Sequence, residues 1–285
     1  MSRTVYVNGA FVPEEAATIS VFDRGFLFAD GVYEVTTVLG GRLIDFAGHM
    51  ARLRRSLAEL AMDAPADEAE ILSIHRELVA RNGIEEGMVY LQVTRGAADR
   101  DFAFPPAGTK PSLVLFTQEK AVSDNPAAEK GLTVVSVPDQ RWARRDIKTV
   151  QLLYPSLAKM EAKARDADDA WMVENGLVTE GTSNNAWIIL ADGTIVTRPR
   201  SEAILHGITR SAVLRLAEEA GHRFVERPFS IEEAKGAAEA FITSASAFVM
   251  PVVRIDGAPV GAGVPGPLSR RLRQIYIEEA RRTAI

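Results

Sequence analysis

Five dipeptides punctuate this chain with tight turns: Asn8-Gly9, Gly40-Gly41, Asn175-Gly176, Asp192-Gly193 and Asp256-Gly257. Glycine, asparagine and aspartate reach the positive-φ geometry of a two-residue turn at little cost, and such a turn joins antiparallel strands. Asn8-Gly9 therefore predicts a hairpin between residues 4–7 and 10–12. Gly40-Gly41 turns a strand at 32–38 into 42–44, and the other three punctuate strands of the second half. Helical patterns lie between these strands. They cover 48–61, with Leu53, Leu57 and Leu60 on one face, 67–81 up to the Asn82-Gly83 stop, and 155–165. A further helix starts near Ile208 and ends by Gly221, Ser230 and Glu233 form a capping box, and a basic amphipathic helix covers 267–282. Strands and helices mix without strict alternation, which predicts an α+β fold in both halves. The polar stretch around Pro126 reads as a connection at 118–131 between domains at 1–117 and 132–285. The segment 95–110 is a long loop rich in Gly, Pro, Asp and Arg, and long loops inside compact domains are usually functional.

Composition removes several classes of function. No cysteine is present among the 285 residues, which excludes disulfides, thiolate metal sites and a cysteine nucleophile. The formal net charge of -5 argues against a nucleic-acid binder. No apolar run has the length of a membrane helix and the N-terminus lacks a signal-peptide pattern, so the expected setting is the cytoplasm. His49, His75, His206 and His222 show no metal-ligand spacing, and neither a P-loop nor a GxSxG motif occurs.

Chemistry that needs an amine has few candidates, because only seven of the 33 basic residues are lysines. Lys148 stands in Asp146-Ile147-Lys148-Thr149-Val150, between apolar neighbours and just after Arg144 and Arg145. Such an amine can attack a carbonyl, although a surface lysine on a half-buried strand has the same local pattern. Gly207-Ile208-Thr209-Arg210 opens a helical pattern, and a helix N-terminus offers free N–H groups to a phosphate. The strand ending in Thr243-Ser244-Ala245-Ser246 combines hydroxyl donors with small residues that let an anion approach the backbone. Glu180 sits in a tight polar turn and Arg52 lies on the first helix, where each singly reads as a solvated charge.

Together these stretches resemble the fold-type IV pyridoxal-phosphate enzymes, a group that holds D-amino-acid transaminases, branched-chain transaminases and aminodeoxychorismate lyases. The resemblance runs through Phe22-Asp23-Arg24-Gly25, Asp30-Gly31-Val32-Tyr33-Glu34-Val35, His49-Met50-Ala51-Arg52-Leu53, Val93-Thr94-Arg95-Gly96 to Arg100, Asp146-Ile147-Lys148, Thr179-Glu180-Gly181 and Gly207-Ile208-Thr209-Arg210. It is strongest toward the D-amino-acid transaminases of this class IV, branched-chain-aminotransferase-like family. It implies a two-domain α+β architecture, a homodimer and the cofactor pyridoxal 5'-phosphate, with amino acids and 2-oxo acids such as 2-oxoglutarate or pyruvate as substrates. Lys148 would carry the cofactor and shuttle the substrate proton, and Glu180 would meet the pyridine nitrogen. Arg52, Ile208, Thr209, Ser244 and Ala245 would hold the phosphate. Tyr33 and Arg100 match positions that bind the substrate carboxylate, the arginine coming from the neighbouring subunit. Two positions depart from the family pattern. Phe102 stands where a histidine is usual, which removes a polar partner for the carboxylate, and Ala245 replaces a threonine, leaving only backbone for the phosphate. A branched-chain L-amino-acid transaminase or an aminodeoxychorismate lyase is the alternative within the same fold.

Overall fold

A computed structural model describes residues 2–285 of the chain. It divides into two compact units. Among the described residues, the first comprises 2–121, 147–151 and 283–285, and the second comprises 122–146 and 152–282.

The first unit contains strands β1 (Thr4–Val7), β2 (Ala10–Pro13), β3 (Gly31–Leu39), β4 (Arg42–Leu43), β5 (Glu86–Thr94) and β6 (Ser112–Glu119), with helices α1 (Arg24–Phe28), α2 (Phe46–Glu59) and α3 (Glu68–Asn82). Its six strands form one antiparallel sheet in the order β2-β1-β6-β5-β3-β4. The expected hairpin is present: Val7 pairs with Ala10 across Asn8 at φ 48° and Gly9 at φ 100°. Alternate residues of the central strands enter the core, where Val89, Leu91 and Val93 meet Met50, Leu53 and Leu57 of α2 and Ile71, Ile74 and Leu78 of α3. Helix α3 begins where Asp67 accepts the Glu70 N–H at 2.8 Å and stops at Gly83, φ 61°, as the sequence predicts. Helix α2 starts two residues earlier than the predicted 48, because Asp45 takes a left-handed backbone and opens it at Phe46.

The second unit contains α4 (Pro126–Lys130), β7 (Leu132–Pro138), α5 (Leu153–Ala164), β8 (Asp169–Glu174), β9 (Leu177–Gly181), β10 (Asn185–Ile189), β11 (Ile195–Thr197), α6 (Ile208–Glu219), β12 (Phe224–Glu226), α7 (Ile231–Lys235), β13 (Glu239–Ser244), β14 (Phe248–Ile255), β15 (Ala258–Pro259) and α8 (Pro267–Thr283). The strands form a mixed sheet in the order β12-β11-β10-β13-β14-β7-β8-β9, with β15 added to β14. Only β11–β12, β14–β7 and β7–β8 are parallel pairs. Ser230 accepts the Glu233 N–H at 3.1 Å and opens α7, as its capping pattern predicts.

The division of the chain differs from the expected one at 147–151. The lysine segment, expected by sequence position within 132–285, packs as an extra edge against the first unit's sheet. Tyr33 N–H donates to the Lys148 carbonyl at 3.0 Å, and Val150 N–H donates to Gly31 O at 3.1 Å. Ile147 is buried in the same core as Met50 and Leu53. Main-chain pairing and one buried isoleucine thus outweigh chain proximity. The expected connection 118–131 contains α4, capped by Asn125 on the Ala127 N–H.

Candidate active site

In the first unit, β3 sets out the polar groups. Strand alternation points Tyr33 to one face and Glu34 to the other. The Lys148 Nζ lies 3.9 Å from the centre of the Tyr33 ring, a cation–π contact that holds the amine over the sheet. Tyr33 stacks on Tyr90, and Tyr90 stacks on Phe116 with ring centres 4.8 Å apart, so an aromatic column backs the amine. On the other face, Glu34 is fully enclosed and receives Arg52 through two parallel bonds, Nε to Oε1 at 2.8 Å and Nη2 to Oε2 at 2.7 Å. His49 Nδ1 lies 2.8 Å from the same carboxylate. Arg52 and His49 sit one helical turn apart on α2, so both reach β3 from one helix face. Burial raises the Glu34 carboxyl, but Arg52 and His49 overcome it and hold it at about 2. Arg52, expected as a phosphate partner, is thus held at one guanidinium edge by a carboxylate that the sequence reading did not use.

Arg100 lies exposed on the long loop after β5, against the rings of Phe28 and Phe102. Tyr33, Arg52 and Lys148 therefore share one unit with Arg100.

The second unit assembles a different group around Glu180, on β9. This carboxylate is buried and receives Arg141 Nη1 at 2.6 Å, Asn185 Nδ2 at 2.9 Å and the Leu205 N–H at 3.1 Å. Arg141 is shared, because Nη2 also donates to Asp139 at 2.7 Å. Burial pushes the Glu180 carboxyl above its ordinary range, against the opposing pull of Arg141. Asn185 also donates to the Leu205 carbonyl at 3.0 Å, which ties β10 to the chain leading into α6.

That chain ends in Gly207, the N-cap of α6, which contributes no side-chain acceptor to the first turn. A Cβ at Gly207 would stand 2.1 Å from Asn185 Oδ1. Glycine is therefore required for Asn185 to reach Glu180. The same choice leaves the N–H groups of Ile208 and Thr209 without a side-chain cap, at the positive end of a 12-residue helix. Ser244 closes β13 and is followed by the short turn through Ala245 that returns into β14. The donor chemistry suits a phosphorylated ring with a basic nitrogen: uncapped amides and a serine for the phosphate, and a buried, high-affinity carboxylate for the nitrogen.

Sequence reasoning named Lys148, Tyr33, Arg52, Glu180, Ile208, Thr209, Ser244, Ala245 and Arg100, but not the groups that hold them. Glu34, His49, Arg141 and Asn185 were missed as functional residues. A signal existed for Glu34, which directly follows Tyr33 and is an acid inside an apolar strand pattern. Among the described residues, no cluster of His, Asp and Glu could hold a metal ion, and no helix is long and apolar enough to cross a membrane.

Residues 31–255 match the family model for amino-transferase class IV. The chain is 39% identical to the D-alanine aminotransferase of Staphylococcus aureus (strain COL) over 95% of each protein. It is 39% identical to the D-alanine aminotransferase of Bacillus licheniformis over 94% of each. Among solved structures it resembles the branched-chain amino acid aminotransferase of T.th. determined with pyridoxamine 5'-phosphate, at a TM-score of 0.89 and 27% identity, covering 98% of this chain and 94% of that one. A mixed α+β fold in two units, an amine on β3's edge, a buried acid on β9 and a match over most of the sequence lead to one assignment: the chain belongs to amino-transferase class IV.

Proposed function

We propose that this protein is a pyridoxal-phosphate-dependent transaminase that moves the amino group of D-amino acids to a 2-oxo acid in a ping-pong cycle. The observation that carries this reading is the placement of Lys148 against Tyr33, beside the Glu34–Arg52 pair, in a chain whose relatives at 39% identity are named D-alanine aminotransferases. When bound, the cofactor supplies a sink for the electron pair left on the substrate Cα.

The chain's own residues supply the rest. Lys148 is the group that anchors the cofactor and takes and returns the Cα proton. Glu180 holds a proton at the pyridine nitrogen; its raised proton affinity suits a strong, buried hydrogen bond there. The amides of Ile208 and Thr209, Ser244, the Ala245 backbone and Arg52 receive the phosphate. Glu34 orients Arg52 for that contact. Tyr33 and the Arg100 of a neighbouring subunit receive the substrate carboxylate and so decide which isomer presents its Cα–H to Lys148.

We also propose a homodimer. Val21, Phe22 and Phe26 are 67%, 52% and 69% exposed in the first unit, and apolar side chains this open are ones a second copy would bury. Light scattering on the purified protein should give twice the chain mass.

A branched-chain L-amino-acid activity is the second reading, because the solved structure from T.th. carries that name. Turnover of matched D- and L-amino acids with 2-oxoglutarate or pyruvate separates the two. D-alanine and D-glutamate should react faster than any L-isomer; faster turnover of L-leucine or L-valine would assign the chain to the branched-chain group.

A further inference from the structure

We infer that Phe28 and Phe102 are positioning residues that clamp the Arg100 guanidinium between aromatic surfaces, doing by stacking what a polar neighbour does by hydrogen bonding. This rests on the reading of Arg100 as the substrate-carboxylate partner.

The loop that carries Arg100 also carries Arg95, in one neighbourhood with Arg24, and the three arginines differ in their hydrogen bonds. Arg24 and Arg95 both donate through Nε to Asp30, at 2.7 and 2.8 Å. Arg100 has no hydrogen bond or ion pair among the described residues; its contacts are rings. Its Cζ lies 5.2 Å from the centre of Phe28 and 5.5 Å from that of Phe102. The two rings meet edge to face, 5.6 Å apart at 60°. A guanidinium held by π-faces keeps its N–H edge unspent, and a planar edge of parallel donors is the complement of a carboxylate.

Phe102 is held in that role by the main chain around it. Arg24, itself only 3% exposed, donates from Nη1 to the carbonyls of Asp101 at 2.7 Å and Ala103 at 3.2 Å. The main-chain carbonyls of the residues before and after Phe102 are therefore pinned by a buried cation. Yet the Phe102 ring remains 79% exposed. Burial does not explain a pinned, open phenylalanine; its contact with the one unpaired arginine of the neighbourhood does. The departure from histidine at this position is thus a change in how Arg100 is held. The substrate carboxylate keeps its bidentate partner, and the surface beside it becomes apolar.

Steady-state kinetics of the holoenzyme with D-alanine test this in four variants. Arg100→Ala should raise KM more than tenfold. Phe28→Leu and Phe102→Leu should each raise KM by about two- to fivefold, the size of an exposed cation–π contact, with kcat within about twofold of wild type. Phe102→Tyr, which keeps the ring, should restore KM. In an Arg100→Ala background, Phe102→Leu should add nothing, since it acts through the guanidinium. Unchanged KM in both leucine variants, with Arg100→Ala still impaired, would overturn the clamp and leave the carboxylate role standing. An equal Phe102→Leu effect with and without Arg100 would overturn it too, by making the ring a direct substrate contact. Normal KM in Arg100→Ala would remove both the carboxylate role and the clamp.

Discussion

Glu34 in the first unit and Glu180 in the second are both enclosed carboxylates bonded to arginine, at 2.7 Å from Arg52 and 2.6 Å from Arg141. Their proton affinities nevertheless move in opposite directions. Burial raises both, but Glu34 receives both donors of one guanidinium edge and His49 as well, and it falls to about 2. Glu180 has one bond from an arginine that also serves Asp139, and the Asp139 charge works against ionisation, so burial prevails. An arginine contact alone does not set the state of a buried acid. What decides is how many cations the acid receives and how many anions share them. The first arrangement makes a permanent anion that orients Arg52. The second makes a buried acid with raised proton affinity, the state its proposed place at a ring nitrogen would draw on.

The largest expected effect lies outside both pairs and tests the frame in which they are compared. Lys148→Ala should abolish transamination and the visible absorbance of bound cofactor, even with pyridoxal phosphate added. Wild-type turnover in this variant would make another lysine the amine.

Glu180→Gln comes next. The neutral amide cannot hold the ring nitrogen protonated, so kcat should fall by about a hundredfold or more while cofactor binding persists. Equilibrium dialysis alongside kinetics checks both halves. A variant that loses cofactor but turns over normally when saturated would assign Glu180 to binding alone.

Glu34→Gln sharpens the contrast through stability. It leaves Arg52 short of a charged partner in a buried place, a loss of about 3–5 kcal/mol at neutral pH. The wild-type contribution is also pH-dependent. Because folding lowers the Glu34 carboxyl from 4.5 to about 2, its stabilisation, about 3 kcal/mol, is complete above pH 4.5 and disappears as pH falls toward 2. Glu180, raised on folding, has the opposite sign: its contribution is complete below the ordinary value and is lost as pH rises through the raised one. Urea midpoints measured across pH should bring Glu34→Gln closer to wild type in acid. Parallel profiles for the two proteins would mean that Glu34 carries no charge in the fold.

Arg52→Ala should cost stability as Glu34→Gln does, because it leaves Glu34 buried without its partner, and its effect on function is the smallest of the set. A charge-assisted bond to phosphate is worth roughly 1.5–3 kcal/mol, so cofactor retention should drop by about ten- to a hundredfold. Equal cofactor dissociation rates in variant and wild type would leave Arg52 with only its structural bond to Glu34.

Local signals were legible throughout. Asn8-Gly9 joins β1 to β2, Gly40-Gly41 joins β3 to β4, Asn175-Gly176 joins β8 to β9, and Asp256-Gly257 joins β14 to β15, each at the register expected of a two-residue turn. Asp67, Gly83 and Ser230 end or begin helices by bonds to groups a few residues away. The α2 start was missed because Asp45 takes a left-handed backbone without a side-chain cap, and nothing in its residue type demands that.

The amino-acid sequence by itself determined the turns, the helix faces, the α+β mixture and which residue types were available for amine, acid and anion-binding chemistry, because those depend on neighbours within a turn or two of chain. Tertiary structure decided where Lys148 belongs, by pairing its carbonyl with Tyr33, and what state each buried acid adopts, by bringing Arg52 and His49 to Glu34 and Arg141, Asp139 and Asn185 to Glu180. These outcomes rest on charges and main-chain groups far apart in sequence, and Coulomb interactions and hydrogen bonds in a dry interior answer to distance in space.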